Sequence, residues 1–453
     1  MPNLTRVTNL NDAGPGSLRR AVEIAQPESA ITFDAGLSGT IKLTSSDLTI
    51  AKNLTIRGPV ARTISVSGSK SGHIVHVIKG YSATLSNLIF KDSKTERGFI
   101  FNDGTLILSN STVSGNTGCS GISNDGTLTL NNSTVSGNSA PNCDAGGIYN
   151  RGTLTLSNST VSGNSAPGRN FGDPIEGGPT GGIYNLDRLT LSNSTISGNS
   201  APNGVGGILN GGTLTLSNST VSGNSAPNGV GGGIFDTDTP SLGISSEGFG
   251  ILNLSNSIIS GNSASIGGGI FIQAQSGDDQ RVIVQANLTF STIYGNRATS
   301  GADIAIRVDY SFSHQSSQSY VKISNSIVVG DSAESVPDIL GMLTSSGYNL
   351  FQDTSGATFD LSTATQHRTD KLLSANDLSR LFAIPVGLRN NDGPTEAYVL
   401  APGSLAIDAI PLQYCELKVI FNSQSRMYTD QRGFPRPDGN EMACDIGAYE
   451  YVE

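Results

Sequence analysis

The sequence predicts an all-β fold, a right-handed single-stranded parallel β-helix in which short coils of the chain stack into a solenoid. The first observation is a repeat, Gly-Thr-Leu-x-Leu-x-Asn-Ser-Thr-Val-Ser-Gly-Asn, present at 104–116, 126–138, 152–164 and 212–224. The second is the alternation of polar and apolar residues within each copy, which is typical of strands. The third is that the segments between strands lack helical periodicity, so coils rather than helices connect the parallel strands.

Each coil is predicted to contain three short strands. Thr-Leu-Thr-Leu and Ser-Thr-Val-Ser supply two of them, and Gly-Gly-Ile-Tyr-Asn at 146–150 and 181–185 supplies the third. Asn and Gly between the strands accept the tight turns that close a coil. The glycine before the last residue of the repeat falls at 115, 137, 163, 198, 223, 261, 295 and 330. This spacing indicates coils of at least 22 residues with loops of variable length.

A set of asparagines recurs at one phase of the coil. Amide side chains in register can hydrogen-bond along a stack, so we expect these residues to form a structural ladder without a catalytic role. The seven members are Asn110, Asn132, Asn158, Asn193, Asn218, Asn256 and Asn325.

Both ends of a solenoid expose apolar surface and need caps. Residues 17–26 have apolar side chains at helical spacing after Ser17, which predicts an amphipathic helix over the first coil. We divide the chain into an N-terminal cap with the first coils (1–60), the main coils (61–340) and the last coils with a C-terminal capping module (341–453). Five charged residues of that module are interpreted as internal ion pairs: Asp408, Asp430, Arg432, Arg436 and Asp445.

Charge and hydropathy exclude several partners. The formal charge of −10 argues against nucleic acid, because phosphate binding requires clustered Lys and Arg. No segment approaches the roughly 20 apolar residues of a membrane-spanning helix. The first residues contain neither a basic nor an apolar stretch, so we expect no signal peptide within this sequence.

The four cysteines fall into two local pairs. Cys119 and Cys143 lie in adjacent repeats, and Cys415 and Cys444 both lie in the C-terminal module. Four cysteines allow three connectivities, and this pairing is the local one in a solenoid. Two disulfides predict an oxidising environment and therefore a protein of the cell exterior or surface.

Both ends of the chain resemble bacterial right-handed β-helix repeat proteins of the cell exterior. The opening is Val-Thr-Asn-Leu-Asn-Asp-Ala-Gly-Pro-Gly-Ser-Leu-Arg-Arg-Ala-Val at 7–22, and the ending includes Ala-Pro-Gly-Ser-Leu-Ala-Ile-Asp-Ala at 401–409 and Cys-Asp-Ile-Gly-Ala-Tyr-Glu at 444–450. This ending resembles a module that often precedes a surface anchor. The repeat at 222–235 is also similar to those of polymorphic outer-membrane adhesins. The resemblance implies the fold, whereas the function has to be argued from the site.

Three successive coils carry long loops after the third strand, at 236–249, 273–284 and about 305–320. Successive coils are neighbours in space, so these loops are expected to form one wall, where binding and chemistry usually reside. The loops concentrate charge in a repeat that is otherwise nearly uncharged. The candidate catalytic residues are Asp236, Asp238, Glu247, Asp278, Asp279 and Arg281.

Two reactions suit this cluster. Glycoside hydrolysis needs two carboxyl groups across the scissile bond, such as Asp236 or Asp238 with Glu247. β-Elimination needs a base and a group that neutralises a uronate, a role that Ca²⁺ bound by the four aspartates would fill. Charged loop residues of solenoids are also commonly just solvated. The alternative interpretation, that these residues have no role in a site, stays open.

A column of aromatic residues follows the Ile of the third strand: Phe101, Tyr149, Tyr184, Phe235 and Phe271, interrupted by Ser123 and Leu209. Exposed rings in a line stack on sugars, and the alternative is a ladder of rings that stack on one another. The predicted substrate-binding residues are Tyr184, Phe235, Phe271, Arg297, Arg307 and His314.

The sequence thus predicts a secreted or cell-surface β-helix that binds a polysaccharide or surface glycan beside the 236–314 loops. Cleavage of that glycan by hydrolysis or elimination is one interpretation, and Ca²⁺ is required only in the second reaction. The alternative function is a non-enzymatic adhesin or structural protein. Enzymatic activity and oligomeric state stay open.

Overall fold

The computed structural model describes residues 4–68, 72–95, 98–168, 178–237, 249–275, 283–309, 318–330, 336–359, 369–415, 417–418, 426–427, 429–438 and 441–452. These residues form a right-handed parallel β-helix, with one sheet of 24 strands and another of 13. The fold class predicted from the repeat is confirmed. The chain divides into two compact units, residues 1–190 with 196–208 and residues 191–195 with 209–453.

Three faces make up each coil, and we name them after the residue that they typically bury. In one coil of the first unit, Leu128 and Leu130 point inwards from the Leu face, Val135 from the Val face and Ile122 from the Ile face, each 0% exposed. Thr and Ser alternate with them and point outwards. Neighbouring coils pair residue for residue, so that Leu lies over Leu and Val over Val.

The first unit contains most of the regular coils. Its Leu-face strands are Leu4–Val7, Ser29–Phe33, Leu54–Arg57, Ser82–Ser86, Thr105–Ser109, Thr127–Asn131 and Thr153–Ser157. Its Val-face strands are Gly39–Lys42, Ile64–Ser67, Ile89–Lys91, Thr112–Ser114, Thr134–Ser136 and Thr160–Ser162. Its Ile-face strands are Leu48–Ile50, Val75–Val77, Ile100–Asn102, Ile122–Asn124, Ile148–Asn150 and Ile183–Asn185. Two short strands, Lys94–Thr95 and Thr117–Gly118, also pair. The next strands in sequence are Arg188–Ser192, Thr195–Ser197 and Ile208–Asn210.

The second unit continues the pattern with longer strands. Its Leu-face strands are Thr213–Ser217, Phe249–Ser255, Ile283–Thr289 and Gln318–Ser324. Its Val-face strands are Thr220–Ser222, Ile258–Ser260, Thr292–Tyr294, Ile327–Val329, Leu350–Phe351 and Lys371–Leu372. Its Ile-face strands are Ile234–Thr237, Ile270–Gln275, Ile304–Asp309, Ile339–Ser345 and Gly356–Phe359. The remaining elements are Ser225–Val230, Ser263–Ile266, helix Ala375–Leu378, Ile410–Pro411, the 3-10 turn Leu412–Tyr414, Leu417–Lys418, Arg426–Met427 and Ala443–Cys444.

The N-terminal helix forms as predicted, over Leu18–Ile24. The Ser17 hydroxyl accepts a hydrogen bond from the Arg20 backbone N–H at 3.1 Å, which caps the first turn. Leu18, Ala21 and Val22 are buried, so the helix covers apolar surface at this end of the unit. No helix among the described residues is long and apolar enough to cross a membrane.

Both predicted disulfides are present. Cys119 and Cys143 have Cα atoms 5.1 Å apart, and those of Cys415 and Cys444 are 6.1 Å apart. The first bridge joins adjacent coils of the first unit, and the second closes a loop within the C-terminal module.

The asparagines predicted to form a ladder are turn residues instead. All seven have a positive φ, between 45° and 53°, in the left-handed region that Asn tolerates better than most residues. They turn the chain between the Leu face and the Val face. In the second unit, Asn256 also donates from Nδ2 to the Thr429 carbonyl at 2.7 Å, and Asn325 donates to the Tyr414 carbonyl at 3.3 Å. The ladder predicted for this phase therefore does not form there.

Amide ladders run through two other columns. One follows the Val face in the first unit, where each Nδ2 donates to the next Oδ1 at 2.8–3.0 Å along Asn116, Asn138, Asn164 and Asn199. The second column lies at the ends of the Ile-face strands. Each Nδ2 there donates to the next Oδ1 at 2.6 Å along Asn102, Asn124, Asn150 and Asn185. These side chains are at most 1% exposed, so each bond satisfies groups that water does not reach.

In the second unit each column includes a hydrogen bond from an asparagine to a buried carboxyl group. Asn224 donates to Asn262, Asn262 to Asn296 and Asn296 to Asp303 at 2.7–2.9 Å, and Asn210 donates to Asp236 at 2.6 Å. Asp303 is 0% exposed, and its Oδ2 has no hydrogen-bond partner among the described residues. Burial, reinforced by the charge of Asp338, raises the pKa of Asp303 well above its ordinary value.

Asp303→Asn is expected to raise the thermal unfolding temperature at neutral and alkaline pH. A raised pKa in the folded state means that the stability contribution of Asp303 is present at low pH and lost as the pH rises above the ordinary value of 3.8. The gain should therefore shrink as the pH falls and vanish below the ordinary value of 3.8, where Asp303 is protonated in both states. Calorimetry over a pH series measures this, with exposed Asp187→Asn as control. A destabilised variant across the whole series would contradict it.

The C-terminal module is built around the buried side chains of Arg432 and Arg436; of the predicted internal ion pairs, that of Arg432 with Asp430 is present, whereas Asp408 is exposed. Arg432 pairs with Asp430 at 2.7 Å and its Cζ lies 3.7 Å from the Tyr449 ring centroid. Arg436, whose side chain is 0% exposed, lies 3.4 Å from the Glu450 carboxylate and donates to the Asp445 and Gly447 carbonyls at 2.7 and 3.0 Å. These three groups pair with the two terminal nitrogens of the guanidinium, whereas its buried Nε has no hydrogen-bond partner among the described residues.

The module packs on the Val face of the second unit. Gln431 donates from Nε2 to the Thr220 hydroxyl at 2.9 Å, and the Ala448 N–H donates to the Thr292 hydroxyl at 3.1 Å. Gly447 has a φ of 99°, and a Cβ there would lie 2.8 Å from side-chain atoms of Thr292 and Ile327, so glycine allows this close approach.

Candidate functional site

Six residues predicted for catalysis or substrate binding lie outside the described residues: Asp238, Glu247, Asp278, Asp279, Arg281 and His314. Their roles, including the calcium site that would use three of these aspartates, stay predictions. Arg297 and Arg307 are described, and both are exposed on the second unit. Substrate binding by these two arginines also stays a prediction.

Asp236, a predicted catalytic residue and calcium ligand, is buried at 0% exposure. It occupies the Asn position of the Ile-face column, and its Oδ1 accepts the hydrogen bond from Asn210. The residue paired with it in the next coil is Ile272, so the column ends at Asp236. A carboxyl group inside the coil cannot contact a polysaccharide, and we correct its role to a structural one.

The two aromatic residues that the column contributes to the second unit are also buried. Phe235 and Phe271 are 0% exposed, and their rings stack with centroids 5.0 Å apart and an interplanar angle of 16°. Tyr184, in the first unit, is 5% exposed. These residues stack on neighbouring rings of the column, which was the alternative prediction. Their predicted role in substrate binding is therefore wrong, because the stacked and buried rings are not available to a sugar.

The first unit has a groove on its Ile face, where the same aromatic column is interrupted. The register is set by strand pairing, and the side chains that follow one another along the column are His76, Phe101, Ser123, Tyr149 and Tyr184. Ser123 is the one small side chain of this series. The column therefore has a gap one coil high.

The two rings next to the gap each contact an aromatic ring on the side away from Ser123. Phe101 contacts His76, with centroids 5.0 Å apart, and Tyr149 contacts Tyr184 at 5.3 Å. Neighbouring strands are about 4.8 Å apart, so the backbones of Phe101 and Tyr149 are about 9.6 Å apart across Ser123. A ring held between two carbon surfaces at about 3.5–4.0 Å from each needs about 7–8 Å. The gap therefore has the width of one ring.

The groove has a volume of about 320 Å³ and is open to solvent. Its lining residues are Gly98, Phe101, Cys119, Ser120, Ser123, Cys143, Asp144, Ala145, Tyr149 and Arg151. The disulfide between Cys119 and Cys143 fixes one wall. This size is at the lower end of the range for small-ligand pockets.

Charged groups form the rim. Arg151 makes a bidentate pair with Asp125, with Nε–Oδ1 at 2.9 Å and Nη2–Oδ2 at 2.7 Å, and its Cζ lies 5.6 Å from the Tyr149 ring centroid. The Asp125 hydrogen bond raises the pKa of Arg151, which stays charged. Outside the lining, beyond Phe101 in the column, His76 Nε2 lies 3.0 Å from Asp103 Oδ2. Paired in this way, the rim side chains are held in place before a ligand arrives.

Tyr149 combines an apolar ring with a hydroxyl donor. Burial is the main cause that raises the pKa of its phenol, and nearby Asp144 and Asp125 act in the same direction against Arg151. The hydroxyl is therefore protonated at neutral pH and can donate a hydrogen bond. The groove thus offers ring faces, hydroxyl groups, a carboxylate and a guanidinium within one coil of Ser123.

Sequence reasoning found the members of this column but not the groove. The interruption of the aromatic series at Ser123 is visible in the sequence, whereas the pairing of His76 with Phe101 depends on the register of strands 22 or more residues apart. The signal that could have found the site is the small residue between two aromatic ones at the same phase of successive coils.

Three solved structures are similar to this chain. The pectate lyase Pel9A aligns over 100% of this chain and 98% of its own, with a TM-score of 0.46 and 14% identity. The PL6 family alginate lyase AlyGC aligns over 88% of this chain and 57% of its own, with a TM-score of 0.44 and 11% identity. Tailspike protein 3 of bacteriophage CBA120 aligns over 78% of this chain and 57% of its own, with a TM-score of 0.32 and 12% identity. No protein-family model and no curated protein sequence matches the chain.

Proposed function

We propose that this protein binds a neutral polysaccharide, with one sugar ring held in the groove at Ser123. The observation that carries the proposal is the ring-wide gap between Phe101 and Tyr149, whose rings contact His76 and Tyr184 on their far sides. A pyranose presents apolar C–H faces to such rings and hydroxyl groups to the polar groups around them.

Polar groups around the gap match the edge of a sugar. The lining includes the hydroxyl groups of Ser120 and Ser123, the Asp144 carboxylate and the Arg151 guanidinium. Hydroxyl groups of a sugar both donate and accept hydrogen bonds, so they can use all of these groups. Because the groove is open to solvent, a chain can continue beyond the bound ring in either direction.

Charge favours a neutral ligand over an acidic one. Asp144 lines the groove, the lining residue Arg151 is already paired with Asp125, and Asp103 adds a further carboxylate close enough to act on Arg151. The whole chain adds a formal charge of −10. A uronate or sulfate group would meet net negative charge, which disfavours its binding. An extracellular location is inferred from the two disulfides, which persist in oxidising compartments.

Incubation with a panel of neutral and uronic-acid polysaccharides tests this function. We expect retention by a neutral polymer in affinity electrophoresis, and Tyr149→Ala should weaken it by about 30-fold, since a buried aromatic anchor contributes about 2 kcal/mol. Tyr81→Ala is the matched control, because Tyr81 is 39% exposed in the same unit outside the groove. Preference for uronic-acid polymers, or equal binding by both variants, would contradict the proposal.

Cleavage is tested in the same incubations. Reducing ends without absorbance from unsaturated products would indicate hydrolysis, and both signals together would indicate elimination. Either signal would support the predicted roles of loop residues such as Asp238 and Glu247, and binding without either signal would favour the adhesin alternative.

A further inference from the structure

The C-terminal module holds three carboxyl groups that face one another. Oxygen atoms of Asp438, Glu441 and Glu450 all lie within 4.8 Å of one another. Glu450 is 0% exposed, and Asp438 and Glu441 are half-buried. Asp408 and Asp445 add negative charge around Glu441. A hydrogen bond to Asp438 is the main cause that raises the pKa of Glu441, to about 7, so the three groups are fully ionised together only when a cation lies between them.

Arg436 accounts for only part of this charge. Its Nη1 lies 3.4 Å from Glu450 Oε2, which also accepts the Asp445 N–H at 3.1 Å. The other oxygen, Glu450 Oε1, is shielded from solvent and has no hydrogen-bond partner among the described residues, and the same is true of Asp438 Oδ1. Buried carboxylate oxygens without a donor are costly, so these two atoms are available as ligands for a cation.

We propose that Asp438, Glu441 and Glu450 bind a calcium ion. All the donors are carboxylate oxygens, which suit a hard cation rather than a metal that prefers nitrogen or sulfur. Oxygens on opposite sides of Ca²⁺ are about 4.6–5.2 Å apart. The three oxygen atoms, all within 4.8 Å of one another, therefore fit inside the coordination sphere of Ca²⁺.

Calcium at this position would join the two sides of the module. Asp438 and Glu441 precede the bridged Cys444, and Glu450 follows it. The ion would therefore connect the chain before the disulfide to the buried Arg436–Glu450 pair after it. This site is independent of the groove in the first unit and uses none of the loop residues considered for calcium above.

Titration of the chelator-treated full chain with CaCl₂ tests the site. We expect an upward shift of the thermal unfolding temperature, with half-saturation at about 10⁻⁴ to 10⁻³ M, the range of extracellular calcium modules. Terbium luminescence gives a second readout, since Tyr449 and Tyr451 flank Glu450 and can sensitise a bound ion. An absent shift at 10-fold higher calcium, or an equal shift with MgCl₂, would overturn the proposal.

Two variants localise the ion. Asp438→Asn and Glu441→Gln keep the shape of half-buried side chains and leave the Arg436–Glu450 pair intact, so the module should fold. Each is expected to weaken calcium binding at least 10-fold by both readouts. Exposed Asp392→Asn is the control and should bind as the parent does. Retention of the full calcium shift by both variants would place the ion elsewhere and overturn the assignment.

Discussion

Ser123→Tyr is expected to abolish polysaccharide binding, with a loss of at least about 100-fold. A tyrosine here would lie between Phe101 and Tyr149 in the established register and occupy the space proposed for the sugar ring. The loss of affinity exceeds that of a single truncated contact, because the ligand is excluded rather than held less well. Affinity electrophoresis on the polymer that the parent protein binds measures the change.

Stability should be maintained in this variant. Phe235 and Phe271 show that two rings in adjacent coils at this phase pack with centroids 5.0 Å apart, so a continuous ladder is compatible with the fold. Ser123→Ala is the matched control, since it leaves the gap open, and its affinity should stay within a few-fold of the parent. Full binding by the Ser123→Tyr protein would show that the ligand site lies elsewhere.

Arg436→Met is expected to destabilise the second unit by about 3–5 kcal/mol. The substitution would leave the Glu450 carboxylate buried without its cation, together with the Asp445 and Gly447 carbonyls that Arg436 now satisfies. Denaturant unfolding, followed by limited proteolysis of the C-terminal module, measures the effect. Exposed Arg380→Met is the control and should change the free energy of unfolding by less than about 0.5 kcal/mol.

A second substitution separates charge from packing in that result. Adding Glu450→Gln to Arg436→Met removes the orphaned charge, so the double variant is expected to recover part of the lost stability. A double variant less stable than either single one would show that packing of the arginine stem, rather than charge pairing, governs this site.

The coil architecture could be predicted because each coil contains a copy of the same sequence repeat. Leu128 and Leu130 recur at every copy with polar neighbours between them, and the local cysteine pairs lie within reach once coils stack. The cap helix over Leu18–Ile24 carries its own local signals, Ser17 and helical apolar spacing. Features that depend on a local pattern or on a fixed period could therefore be predicted from the sequence.

The asparagine columns show where periodicity is insufficient. Asn110 and Asn116 recur with the same period, so the repeat alone cannot tell which of them turns the chain and which hydrogen-bonds along the stack. The distinction is a backbone dihedral angle: a φ of 48° directs the Asn110 side chain outwards, whereas Asn116 is buried. The same ambiguity led to Asp236 as a catalytic candidate, since a charged residue in a polar column looks like an exception to the repeat.

The candidate site was missed for a related reason. Charged residues are rare in this sequence, so the clusters in the loops after 236 are its most conspicuous candidates for a site. The groove instead depends on a small residue, Ser123, whose role is set by its neighbours in adjacent coils. Which way Phe101 and Tyr149 lean, and that the Cys119–Cys143 bridge forms a wall beside them, are consequences of tertiary packing.

The buried asparagine columns also bear on how such a protein can change length over evolutionary time. In the first unit four asparagines each accept one amide hydrogen bond in their column and donate another: Asn124, Asn138, Asn150 and Asn164. Copying or deleting one of these coils by recombination would therefore leave the amides of both columns matched. Asp236 and Asp303 accept an amide hydrogen bond but donate none to a further coil. A coil that contains either residue is therefore expected to follow the donating asparagines. Gene segments encoding coils are thus interchangeable, and a new recognition surface requires only one altered outward residue in a copied coil.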